Sequence, residues 1–145
     1  MKLSQNYKET LTETVLLLPR YIDKILINID DSINLLNQNE SFQDEISKIY
    51  DDLSNFISLV SIIFRESIFQ TYDNQTNEVL KTLKIHQLSI VKALKSATLS
   101  EDKLMLTDLL EYELKDNLTQ WKISAIPQLK QALKRQKLLH PTTSY

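Results

Sequence analysis

The chain contains no glycine and no cysteine in 145 residues, and only three prolines and a single tryptophan. Glycine supplies positive φ in tight hairpins and lets backbone approach phosphate, so its absence argues against Rossmann turns, P-loops and compact β-sandwiches. Helices need glycine only as an optional C-terminal cap, a place asparagine can fill. The lack of cysteine removes disulfide frameworks, thiolate zinc sites and thiol nucleophiles together. No apolar run reaches the roughly 20 residues that a membrane-spanning helix needs. Met1 to Tyr7 carries no signal-peptide pattern, and a cytoplasmic address is expected.

What remains is the balance of a globular chain, 42% hydrophobic and 25% charged. The length fits one hydrophobic unit spanning 1–145, and no internal repeat marks a second domain. Leu11, Val15, Leu18, Ile22, Ile25, Ile29, Ile33 and Leu36 follow one another at steps of three or four, the spacing of one helix face, and predict a helix from Ser4 to Leu36. Pro19 either bends that helix or divides it. Asn37 to Ser41 reads as a connector, and Ser41 with Asp44 approximates a cap for the next helix.

The second helix carries the most regular seam: Phe42, Ile46, Ile49, Leu53, Phe56, Val60 and Ile63. Phe64, Ile68 and Phe69 widen it before the turn residues Asp73 and Asn74. A third helix, about Thr76 to Ala97, runs through Val79, Leu83, Ile90 and Ala93, with His86 as the polar exception. The fourth begins after Ser100, whose hydroxyl is placed to cap a first turn containing Glu101 and Asp102. Leu106, Leu110, Leu114, Leu118, Trp121 and Ala125 lie near one face of it, Pro127 kinks or breaks it, and a narrower stripe of Leu129, Ala132 and Leu133 leads to a frayed tail at Thr142 to Tyr145. The expected fold is all-α: an antiparallel up-and-down bundle of about four long helices with short connections, kinked at Pro19 and Pro127.

Charge is uneven along the chain. Residues 28–60 hold seven acids against one base, and residues 117–145 hold five bases and no acid. The basic C-terminal segment, 126–145, either lies against the acidic hairpin or meets a partner. Its narrow apolar stripe predicts a separable element whose partner-binding residues are Leu129, Lys130, Leu133, Lys134, Arg135 and Lys137. Nucleic acid is disfavoured as that partner, because the chain is acidic overall and no aromatics interleave with the bases.

Little points to chemistry. A lone histidine on a core seam is first a hydrogen-bonded core residue, and Glu113, by helical angle at the rim of the arc formed by Leu106, Leu110 and Leu114, needs a partner of its own. His86 and Glu113 are therefore expected to pair, buried, between the third and fourth helices. Asp108, Glu111 and Glu113 gather carboxylates without the Glu-x-x-His spacing of a helical metal site, so no metal or cofactor is expected. No glycine-flanked nucleophile elbow exists.

Two resemblances bear on function. Arg135 and His140, with four residues between them and the polar Gln136 directly after the arginine, resemble the Arg-x4-His motif of HEPN ribonucleases. That resemblance implies an all-α domain cleaving RNA with Arg135 and His140, although His140 stands before Pro141 at the edge of the tail. The segment Asp108-Leu-Leu-Glu-Tyr-Glu-Leu114, followed by Leu118 and Trp121, resembles a stretch of small all-α proteins of Gram-positive bacteria, some from flagellar gene neighbourhoods. It implies a bacterial helical adaptor, like a flagellar export chaperone, and brings no catalytic residues. The expectation is a non-enzymatic protein-interaction module, adaptor or chaperone-like, that binds a protein partner or itself. The alternatives are the HEPN-like nuclease and a purely structural, self-associating bundle.

Overall fold

A computed structural model of the chain describes residues 5–65 and 74–135. Among these residues the fold is all-α, with four long helical stretches. α1 spans Gln5–Asn37, α2 Gln43–Arg65 and α3 Asn74–Leu99. The fourth stretch, α4, runs from 103 to 135 and changes pitch along its length: α-helical at Lys103–Asp108, π-helical at Leu109–Leu114, α-helical at Lys115–Gln120, π-helical at Trp121–Ala125 and α-helical at Ile126–Arg135. Pro19 lies inside α1 without ending it. No described helix is long and apolar enough to cross a membrane. The side chains of Phe64, Ile68 and Phe69, the turn residue Asp73, and everything after Arg135 lie outside the described residues, whereas Asn74, expected in the turn, opens α3.

The π stretches follow from the sequence. The buried stripe Leu106, Leu110, Leu114, Leu118, Trp121, Ala125, Leu129 and Leu133 steps by four except at Trp121, covering 27 residues. At 3.6 residues per turn that span is roughly 7.5 turns, which would carry Leu133 to the opposite face from Leu106. Each π stretch absorbs about one residue and brings the count back to roughly 7 turns, so both ends face the core. The Lys115 N–H donates to Leu110 O and the Ile126 N–H to Trp121 O, the five-residue closures of the widened turns. The second stretch ends just before Pro127, whose ring would crowd the carbonyl four residues back in a regular helix; the wider turn makes room for it.

Without glycine, the two described turns use other residues in the left-handed region: Asn39 at φ 55° and Glu101 at φ 53°. In each, the residue after the left-handed one donates back across the helix end, Glu40 N–H to Leu35 O at 2.9 Å and Asp102 N–H to Ala97 O at 3.0 Å, a Schellman closure. Glutamate in this region costs roughly 1–2 kcal/mol. The cap of α4 is Asp102, whose carboxylate accepts from the Met105 N–H at 3.0 Å. Ser100, expected in that role, donates instead to the carbonyls of Ser96 and Ala97 at the end of α3. Ser41 likewise does not cap α2; its hydroxyl donates to the Gln43 side chain.

One apolar cluster joins all four helices. Val15, Leu18, Ile22, Ile25 and Ile29 of α1, Ile49, Leu53 and Phe56 of α2, Leu80, Ile90 and Leu94 of α3, and the leucine stripe of α4 are buried in it. Fully burying each such side chain contributes about 1.5–3 kcal/mol. Cross-helix pairs show the relative direction of α1 and α4. Lys115 meets Asp30 at 2.9 Å and Lys122 meets Asp23 at 2.8 Å, in reversed order along α4 and α1, as for helices that run in opposite directions. Between α1 and α2, the buried Asp52 carboxylate accepts from Asn28 and Lys24, each at 3.2 Å. α2 and α3 are linked near the turns by the Tyr50 hydroxyl and Thr98 Oγ1, 3.4 Å apart. Burial raises the Tyr50 hydroxyl pKa above its ordinary value, against the opposing pull of that hydrogen bond.

Candidate functional site

His86 and Glu113 meet, but not in the core. His86 Nε2 lies 3.1 Å from Glu113 Oε2, and the two side chains keep 40% and 52% of their surface. The expected burial is corrected: the pair forms at the rim of the α3–α4 seam. Behind it stands the fully buried Asn117, whose Nδ2 donates to Leu83 O at 3.1 Å and lies 3.3 Å from His86 Nδ1. The Leu83 carbonyl fixes which way the amide points, so His86 accepts at Nδ1 and carries its proton on Nε2, toward the carboxylate. Both ring nitrogens are thus occupied, and neither is available to take a proton from a substrate. The arrangement ties α3 to α4, and at this exposure the His86–Glu113 hydrogen bond itself is worth little.

The polar exception that reaches the core is Gln87, one residue further along α3. It is fully buried, and neither atom of its amide has a hydrogen-bond partner, as is also true of Ser32 Oγ, Asn117 Oδ1 and Trp121 Nε1. The signal that finds it is the seam Leu80, Leu83, Gln87, Ile90, Leu94 and Ala97, whose unbroken steps of three and four put Gln87 rather than His86 on the buried face. A buried amide without partners is a net loss. Gln87→Leu is expected to raise the unfolding free energy by about 1–3 kcal/mol in urea titration. A destabilised variant would mean that the amide is satisfied in solution.

The residues expected to contact a partner divide. Leu129 and Leu133 are fully buried in the core, together with Ile126 and Ala132, and are not available to another molecule. The same burial argues against a separable C-terminal element, a point that truncation decides. Lys130 is half-buried, and Lys134 and Arg135 are exposed at the end of α4. Lys137 and His140 lie outside the described residues, so the geometry of the Arg-x4-His pair does not enter. No group of three or more potential metal ligands occurs among the described residues.

The surface carries a different feature. Leu99, Leu104 and Met105 flank the α3–α4 turn and are 88%, 75% and 48% exposed. The α1–α2 turn lies beside them, tied by Lys103 Nζ donating to Asn39 Oδ1 at 3.3 Å. Three large apolar side chains at one end, with Glu40, Glu101, Asp102 and the one base Lys103 on the two turns beside them, make an apolar tip whose border is acidic on balance. Of the other exposed hydrophobics, Ile27 and Ile123 stand singly, where they need no explanation, and Leu16 with Leu17 and Ile85 with Leu88 form smaller pairs along α1 and α3. Toward the opposite end, α3 and α4 leave an open, mainly apolar groove of about 290 Å³ lined by Glu78, Val79, Thr82, Leu83, Gln120 and Ser124. A second open depression, of about 260 Å³ on α1, is lined by Glu13, Leu16, Leu17 and Arg20.

No family model, curated protein or solved structure matches the chain.

Proposed function

We propose that the chain is a non-enzymatic protein-interaction module, an adaptor or chaperone-like bundle whose contact element is the apolar tip. The observation that carries this reading is the exposure of Leu99 and Leu104, two leucines almost wholly in solvent on either side of one turn. Leaving them exposed forgoes about 1.5–3 kcal/mol of burial each, which a protein surface recovers when it covers them. The acidic border supports a partner with basic character around an apolar pocket. The likeness of 108–121 to helical proteins of Gram-positive bacteria gives the proposal a setting, a cytoplasmic bacterial adaptor.

The test is site-specific photocrosslinking in the producing cells. A photoreactive residue in place of Leu104 is expected to give discrete adducts. The same residue in place of Thr119, exposed on α4 away from the tip, is expected to give none. Adducts from neither position, or equally from both, would overturn the assignment.

A further inference from the structure

We infer that the apolar tip docks into the α3–α4 groove of a second copy of this chain, so that the bundle associates head to tail. The inference rests on the reading of the tip as a contact element and names its partner.

The first support is electrical. The cross-helix pairs place residues 27–52 and 88–115 in the half of the bundle that ends in the two turns. These segments hold twelve acids and five bases. The other half, residues 11–26, 53–65, 78–87 and 116–135, holds four acids and nine bases. The bundle is therefore polar along its axis, negative at the tip and positive at the far end. Two copies placed side by side in the same direction repel, and two placed end to end attract.

The second support is shape. The tip protrudes, and the apolar depression between two helices lies on the other half. Val79 stands twenty residues along α3 from Leu99, roughly 30 Å up the axis at 1.5 Å per residue. Val79 and Leu83 give the groove an apolar floor, and its volume of about 290 Å³ takes one or two aliphatic side chains. Ser124, on its α4 wall, belongs to the widened turn Trp121–Ala125. A knob at one end and a socket at the other cannot satisfy each other within one molecule. A contact between two different surfaces is heterologous, and it propagates into chains or closes into rings rather than stopping at a symmetric dimer.

Sedimentation velocity of the purified full chain, over concentrations up to the order of 1 mM, reads the association. The wild type is expected to grow beyond dimer as concentration rises, and to dissociate in 0.5 M salt as the end-to-end attraction is screened. Leu104→Glu removes the knob and adds an acid to the first turn of a helix, where it is tolerated. Thr82→Arg fills the groove, keeps that end positive and suits a helix better than threonine. Each variant alone is expected to associate at least about 30-fold more weakly than wild type. Mixed in equal amounts, they are expected to form a one-to-one pair and stop there, because each keeps the surface that the other lacks. A chain that stays monomeric throughout overturns the inference, and so does a dimer lost with Leu104→Glu but untouched by Thr82→Arg, which would be tip against tip. If the pure chain is monomeric while position 104 still crosslinks to a different protein in cells, only the second copy is refuted. If position 104 crosslinks to nothing, the reading of the tip falls with it.

Discussion

Phe56→Ala is expected to destabilise the fold by about 3–5 kcal/mol, the loss typical of removing a large aromatic from a packed core. Phe56 is fully buried in the middle of the most regular apolar seam and meets the ring of Trp121 edge-on, with centroids 5.3 Å apart and planes at 87°. That geometry puts the positive edge of one ring on the negative face of the other and adds about 0.5–1.5 kcal/mol beyond area burial. The substitution therefore removes a side chain and a specific partner for the tryptophan. Since a domain of this size is held by about 5–15 kcal/mol in total, the variant should melt far earlier or populate the unfolded state without denaturant. Trp121 is the sole tryptophan, so its fluorescence during urea unfolding reports the loss at the affected site. Phe56→Leu, which keeps most of the volume, should lose much less. A cost below about 1 kcal/mol for Phe56→Ala would mean that the α2 seam does not close on α4.

The same two residues show what could be read in advance. The seam of α2 is regular because an α-helix of constant pitch keeps steps of four and three on one face, and periodicity alone located it. The α4 stripe was also visible, but its meaning was not. Successive steps of four overrun 3.6 residues per turn, and only the π turns at Leu109–Leu114 and Trp121–Ala125 reconcile them with one buried face. That drift was the available signal. The caps were displaced by one or two residues, since Ser100 and Asp102 both can cap and the Schellman closure at Glu101 decides between them. His86 and Glu113 were found as partners from helical angle, which is local; their exposure depends on how far α3 and α4 open at the rim, which is not. The tip was missed for a similar reason. Leu99, Leu104 and Met105 are ordinary residues in a helical pattern, and only the position of the turn reveals that they stand exposed among the described residues.

Cutting the chain before Pro127 is expected to unfold the bundle rather than trim it. The outer surface of Ile126–Arg135 is basic and its apolar stripe narrow, which in sequence suggests a loosely attached element. The stripe is narrow because this segment packs inward chiefly on α1, and a narrow face can still be wholly buried. Leu129, Ala132 and Leu133 are fully enclosed, and at about 1.5–3 kcal/mol each the two leucines alone supply a large part of the usual margin. Their removal also uncovers the apolar face of α1 beneath them, a second loss of the same kind. The helix runs on through Pro127, because the wider π turn before it leaves room for the ring. Circular dichroism of the truncated chain should show lost or non-cooperative helix. In the full-length chain, Leu129→Asp should approach the same result by placing a carboxylate in the core, while Lys134→Gln should change stability by less than about 0.5 kcal/mol. A truncated chain that melts cooperatively, only slightly below the full-length protein, would show that the core closes without this segment, and its burial against α1 would then be a docked appendage rather than part of the fold.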